Sequence, residues 1–204
     1  MQQNYVLDEP GTYIRYGHGV VVTAGGGDEG DSLFKQLVEG TIGAIDDTSI
    51  TRLRDGAFDQ CKVMPTVYLP NVIHTGSGAF RDCYALTYAK VGPDEGTTQS
   101  SAGASAEYFM NCTNLEVVDL GINFKSSGLG YSFSQGAYKL ATLVLRAPEV
   151  QGLPSVATFG EHSPIREGTG LIYVPDNLVD AYKAATNWST FASQIKPLSE
   201  YVAP

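Results

Sequence analysis

The sequence predicts a mainly β chain with short helices, built as an irregular solenoid of parallel short strands and closed by a C-terminal capping helix. Three observations predict it. A twelve-residue pattern returns three times in the middle of the chain. The apolar positions at its end alternate, as a short strand with one buried face should. And 23 Gly and 12 Tyr beside a single Trp suit tight turns and β-structure better than a helical bundle.

The N-terminal part precedes the pattern. Tyr13-Ile14-Arg15-Tyr16 and Val20-Val21-Val22-Thr23, separated by Gly17-His18-Gly19, read as a small hairpin. Two strands alone are marginal in water. The apolar residues Tyr13, Ile14, Tyr16, Val20, Val21 and Val22 therefore make a candidate tether arm, pairing with the body, a sister subunit or a larger assembly, or else fraying. The run Ala24 to Asp31 is a flexible acidic linker by composition. Residues 1–31 are thus arm and linker. After them, Ser32 to Val38 reads as one or two helical turns, and Thr41-Ile42-Gly43-Ala44-Ile45 as an entering strand.

The repeat body spans residues 32–175. Gly56-Ala57-Phe58-Asp59-Gln60-Cys61, Gly78-Ala79-Phe80-Arg81-Asp82-Cys83 and Glu107-Tyr108-Phe109-Met110-Asn111-Cys112 align with Phe three residues before Cys. An apolar residue follows each Cys by three (Met64, Leu86, Leu115), and Val67 and Leu69, Ala89 and Val91, Val118 and Leu120 continue the register. The unit is Phe-x-x-Cys-x-x-Leu-x-x-Val-x-Leu, with steps of 22 and 29 residues between cysteines. A fourth copy keeps Leu140, Leu143 and Leu145 but has Ala137 for Cys and Phe133 one residue early. A fifth survives as the strand Gly170 to Pro175. One unit cannot bury its apolar face alone, whereas stacked units share a continuous core. Short β segments are expected before each Phe, around Ile50–Leu53 and Val72–His74. The polar stretch Pro93 to Ser101 reads as a solvated loop.

Residues 176–204 form the expected cap. Asp176 is placed to cap a helix over about Leu178–Thr186, with Leu178, Tyr182 and Ala185 on one face and Trp188, Phe191 and Ile195 continuing the apolar contact.

The pattern Ile-x-x-x-x-x-x-Ala-Phe-x-x-Cys-x-x-Leu, with Leu69-Pro70-Asn71-Val72 after the strand, resembles the BspA-like class of bacterial leucine-rich repeats over roughly residues 41–175. The segment Ile172 to Trp188 resembles the closing segment of the same proteins. The resemblance implies Gram-positive gut bacteria or their phages and prophages, hence a phage virion structural or display protein or, alternatively, a bacterial cell-surface or secreted adhesin. The insertion between Val91 and Tyr108 and the lost fourth Cys depart from the pattern.

The remaining signals are mostly exclusions. A net charge of −9 speaks against nucleic acid. No apolar run is long enough for a transmembrane helix, so no membrane insertion is expected. The start, Met1 to Tyr5, lacks a secretory signal, which reads as use without Sec export or removal of a leader. Cys61, Cys83 and Cys112 recur at one repeat position, so core packing is expected rather than zinc or catalysis. His18, His74 and His162 fit no ligand pattern, and Asp46-Asp47 and Asp94-Glu95 read as solvated pairs. The sequons at Asn111 and Asn187 are discounted. No catalytic residue, metal ligand or cofactor is assigned.

What remains is a strip. In each strand the residue between the last two apolar positions, and the one two before it, should point outward. The candidate partner-binding strip is Tyr68, Tyr88, Lys90, Val117, Asp119, Thr142, Val144 and Tyr173, with Thr66 and Leu171 in the same columns. The expected partner is a protein or glycan. The hairpin suggests a homo-oligomer, a trimer favoured, or contact with virion neighbours. The location that follows is a virion assembled in the bacterial cytoplasm, or alternatively the bacterial cell surface.

Overall fold

The structure is a computed structural model describing residues 45–46, 48, 52–53, 56–61, 64–95, 107–124, 129–130 and 132–204, with the backbone of three strands between 5 and 23. The expected turns at 32–38 and most of the loop at 93–106 lie outside the described residues, as do His18 and Thr41 to Ala44.

The chain is mainly β, with few and short helices. Seven strands among the described residues form one parallel sheet: β4 (Ile45–Asp46), β6 (Thr66–Leu69), β8 (Tyr88–Val91), β9 (Val117–Leu120), β10 (Thr142–Leu145), β11 (Leu171–Val174) and β12 (Ile195–Pro197), neighbours in that order. The register matches the repeat. Val67 lies opposite Ala89, Ala89 opposite Val118, Val118 opposite Leu143 and Leu143 opposite Ile172. The chain thus returns after each turn to the same height beside its predecessor. β12, absent from the sequence reading, extends the sheet past β11. β5 (Arg52–Leu53) and β7 (His74–Thr75) pair in parallel, close to where short segments before each Phe were expected.

Behind the sheet, Phe58, Phe80, Phe109 and Phe133 stack with centroids 5.1, 5.2 and 5.7 Å apart and planes within 7° of parallel. Phe159 continues the column 6.1 Å beyond Phe133. The sequence reading did not use Phe159. Its signal was there: Phe159 precedes Ser163 by four residues, as Phe133 precedes Ala137. The aromatic rings of all five are sealed from solvent or nearly so, and so are Cys61, Cys83 and Cys112.

The turn from Phe to Cys has its own logic. Gln60, Asp82, Asn111 and Gly136, each one residue before Cys61, Cys83, Cys112 or Ala137, are left-handed, and His162 before Ser163 is too. Glycine and the Asx residues tolerate that region best. The left-handed residue aims its N–H at the next turn: Gln60 donates to the Arg81 carbonyl, Asp82 to Met110 and Asn111 to Gln135. A second backbone ladder thereby runs beside the sheet. The thiols join it. Cys83 Sγ donates to the Phe58 carbonyl and Cys112 Sγ to the Phe80 carbonyl, both at 3.0 Å. Cysteine here both packs and satisfies a buried acceptor that alanine could not.

The C-terminal segment closes the column. Phe191 meets Phe159 edge-on at 5.2 Å, Trp188 sits 6.2 Å from the same ring, and the Trp188 indole donates to the Gln151 carbonyl at 2.6 Å. The helix differs from expectation. It runs Val179–Ala184, and Ala185 turns extended. Asp176 does not cap it: that carboxylate accepts the Ser199 N–H at 3.0 Å, and hydrogen bonding from the Ser199 side chain, then from its N–H, holds it below the usual carboxylate range.

At the other end, β2 (Tyr13–Tyr16) pairs antiparallel with β3 (Val20–Thr23) as the hairpin reading predicts, and β1 (Tyr5–Val6) adds a third strand on β2. A three-stranded sheet is less marginal than two strands. The side chains of Tyr13, Ile14, Tyr16, Val20, Val21 and Val22 lie outside the described part of the structure.

Candidate partner-binding face

The outer face of the parallel sheet carries the predicted strip. Strand alternation turns Val67, Ala89, Val118, Leu143 and Ile172 into the core, which leaves their neighbours on the outer side. Tyr68 is exposed at 41%, and Thr66, Tyr88, Val117, Thr142, Leu171 and Tyr173 are partly exposed. These residues fall in two adjoining columns, since Thr66 lies opposite Tyr88, Tyr88 opposite Val117 and Val117 opposite Thr142.

Three members of the strip are not available to a partner. Lys90, Asp119 and Val144 point outward but are buried. The register places Lys90 directly opposite Asp119, and Lys90 Nζ reaches Asp119 Oδ1 at 3.1 Å. Arg146 grips the same carboxylate with two bonds, Nε to Oδ1 at 2.7 Å and Nη2 to Oδ2 at 2.8 Å. Asp94, from the loop after β8, bonds both Lys90 and Arg146. Asp94 is therefore part of an ion network, not half of a solvated pair. Two cations and two carboxylates balance one another, which is the condition for burying any of them.

The cover comes from the far end of the chain. The Tyr201 ring lies 5.2 Å from Tyr173, and the Arg146 guanidinium stands 6.0 Å from its centroid. The Asp119 hydrogen bond raises the Arg146 pKa against the opposing effect of burial. Burial, then the Asp119 charge, pushes the Tyr88 phenol up to about 12, and burial first of all raises Tyr201. Both phenols stay protonated and able to donate. Sequence reasoning missed the network because it judged each strand separately. The signal lay across strands: Lys90 and Asp119 occupy the same repeat position in successive copies.

The other candidate groups have structural partners. Burial raises Cys83 and Cys112 well above the ordinary thiol range. A raised thiol pKa means a protonated, unreactive sulfur at neutral and mildly alkaline pH. A disulfide-exchange reagent such as Ellman's should therefore label neither Cys83 nor Cys112 in the folded chain at pH 7–9, but both once denaturant is added. Rapid labelling of the native protein, rising tenfold for each pH unit like a free thiol, would contradict the buried column. His162 is exposed beside Glu167 at 3.3 Å. The amide of Asn111 donates to Asp82, and that of Asn187 to the Leu153 and Pro154 carbonyls.

Among the described residues, no group of three His, Cys, Asp or Glu is placed to hold a metal ion. No helix among them is long and apolar enough to cross a membrane. No protein-family model matches the chain, and no curated protein matches it either.

Proposed function

We propose that this chain is a leucine-rich-repeat solenoid of the BspA-like class, serving as a non-enzymatic phage virion display protein. Its repeat body presents the outer sheet face to a protein or glycan partner, and residues 1–31 tether the body or join its copies as a trimer. One observation carries the solenoid reading: five phenylalanines one turn apart form a continuous column behind strands paired residue for residue. Stacked equivalent units give that arrangement, each contacting mainly its neighbours.

The display reading draws support from what the side chains are committed to. The described thiols are buried, Cys83 and Cys112 donating to backbone carbonyls, and the buried charges on the sheet face neutralise one another. Tyr68, Tyr88 and Tyr173 remain at the surface of a rigid sheet, and exposed aromatics on a rigid scaffold suit recognition. The virion setting rests on the resemblance of the repeat and of the closing segment to phage and prophage proteins of that class. The apolar strands of the arm support the tether.

Light scattering on the full chain tests the assembly. A trimer is expected, falling to a monomer when residues 1–30 are deleted. A monomer at all concentrations, unchanged by the deletion, would remove the arm from the proposal.

A further inference from the structure

A second site lies on the turn side of the molecule, sharing no residue with the sheet face. The backbone ladder of the turns runs from Gln60 through Asp82 to Asn111, whose N–H reaches the Gln135 carbonyl at 2.7 Å. It stops there. Among the described residues, the Gly136 N–H makes no such bond to the following turn. Between the two turns a pocket of about 510 Å³ opens, walled by Gln135, Gly136 and Tyr138 on one side and Phe159, Glu161 and Arg166 on the other. That volume is in the range of small-molecule sites, roughly 300–1,000 Å³.

Its arginine differs from the other two whose side chains are described, both of which have a carboxylate partner. Arg81 is matched by Asp59, and Arg146 by Asp119. Arg166 has no acceptor for its side chain among the described residues, and its Nη1 is buried without a partner. Glu161 lines the same pocket without any ion pair among the described residues, to Arg166 or otherwise. The backbone at Arg166 is capped: its N–H bonds Ser163 Oγ at 3.2 Å, in the short helix Pro164–Glu167. A partly desolvated guanidinium without a counter-charge is a receptor for a carboxylate, to which its accessible N–H groups donate charge-assisted hydrogen bonds. The Glu161 carboxylate would repel a bare polyanion, but it accepts hydrogen bonds from hydroxyls, as does the Gln135 amide oxygen. Tyr138, 52% exposed, offers a flat apolar ring at the rim.

We infer that this pocket binds a saccharide bearing a carboxylate: the acid on Arg166, ring hydroxyls on Glu161 and Gln135, and the sugar's C–H face against Tyr138. The site is independent of the display role, and its success or failure leaves the assembly test untouched.

Titration calorimetry on the full chain tests it, with D-glucuronic acid and N-acetylneuraminic acid as probes, D-glucose as the neutral control and acetate as the bare anion. At least one acidic sugar should bind, and glucose and acetate at least about tenfold more weakly. Arg166→Gln should weaken that binding at least about tenfold, the worth of one charge-assisted bond. Arg166→Lys should recover part of it. Tyr138→Ala, at an exposed position, should weaken binding while leaving the thermal midpoint unchanged, and it serves alone if Arg166→Gln fails to fold. Glucose equal to the acidic sugars, acetate equal to them, no binding by any probe, or indifference to the Tyr138 and Arg166 substitutions would each overturn the assignment.

Discussion

Phe80→Ala is expected to destabilise the protein by about 3–5 kcal/mol, read as a lowered urea midpoint. The ring is fully buried, with Phe58 5.1 Å away on one face and Phe109 5.2 Å away on the other, both within 5° of parallel. Removing it opens a void between two rings that cannot close on each other. Their separation is set by backbone bonds: Phe58 N–H to the Ala79 carbonyl, and Phe80 N–H to Tyr108. Sheet pairings on the other side of the core, Val67 to Ala89 and Ala89 to Val118, hold the same spacing. A core that cannot relax keeps its cavity, which places the cost toward the upper part of the range for such truncations. Leu86→Ala, also fully buried, should cost about 2–5 kcal/mol on the same grounds. Tyr68→Ala removes a side chain from the outer face and should change stability by no more than about 0.5 kcal/mol. Equal losses at Tyr68 and Phe80 would mean that the inner and outer faces have been exchanged.

The same contrast separates what was legible in the sequence from what was not. Inner positions were readable because each repeats: Phe58, Phe80 and Phe109 stand at one offset from a Cys, and burial follows from periodicity alone. The hairpin was readable from two β-rich runs around Gly17 and Gly19. The strand β12 was not, since Ile195-Lys196-Pro197 is too short for a period, and the fifth Phe was legible only through the four-residue offset that Phe159 shares with Phe133, because Ser163 replaces the Cys. The helix cap failed for a tertiary reason: the Asp176 carboxylate found the Ser199 N–H, from a segment 23 residues away that no local rule considers. Of the candidate strip, direction was legible and exposure was not. A strand's alternation states which side a residue faces, but the cover over Lys90 and Asp119 comes from Asp94, Arg146 and Tyr201, on other segments. The pocket on the turn side left no pattern, because it arises where a ladder stops.

That covered network carries the second large effect. Asp119→Ala is expected to cost about 3–5 kcal/mol, comparable to the loss of the Phe80 ring although a much smaller group is removed. The reason is the company it leaves. The Asp119 side chain is 2% exposed and holds Lys90, itself 3% exposed, and both arms of Arg146. With the carboxylate gone, two cations face each other across the strands with only Asp94, itself half in water, between them. Asp119→Asn should recover part of the loss, since it keeps an acceptor oxygen but not the charge. The partners then supply the sharper test. Lys90→Met in the Asp119→Ala background should restore stability relative to Asp119→Ala alone, because the second change removes a stranded charge; independent sites would instead add their costs. A double-mutant cycle from chemical denaturation reads that coupling directly. If Asp119→Ala cost no more than Val117→Ala on the neighbouring, half-exposed column, the four ions would not be a closed unit. The outer face would then be open across its whole width, and the partner strip would run through Lys90 and Asp119 as the strand pattern alone implies.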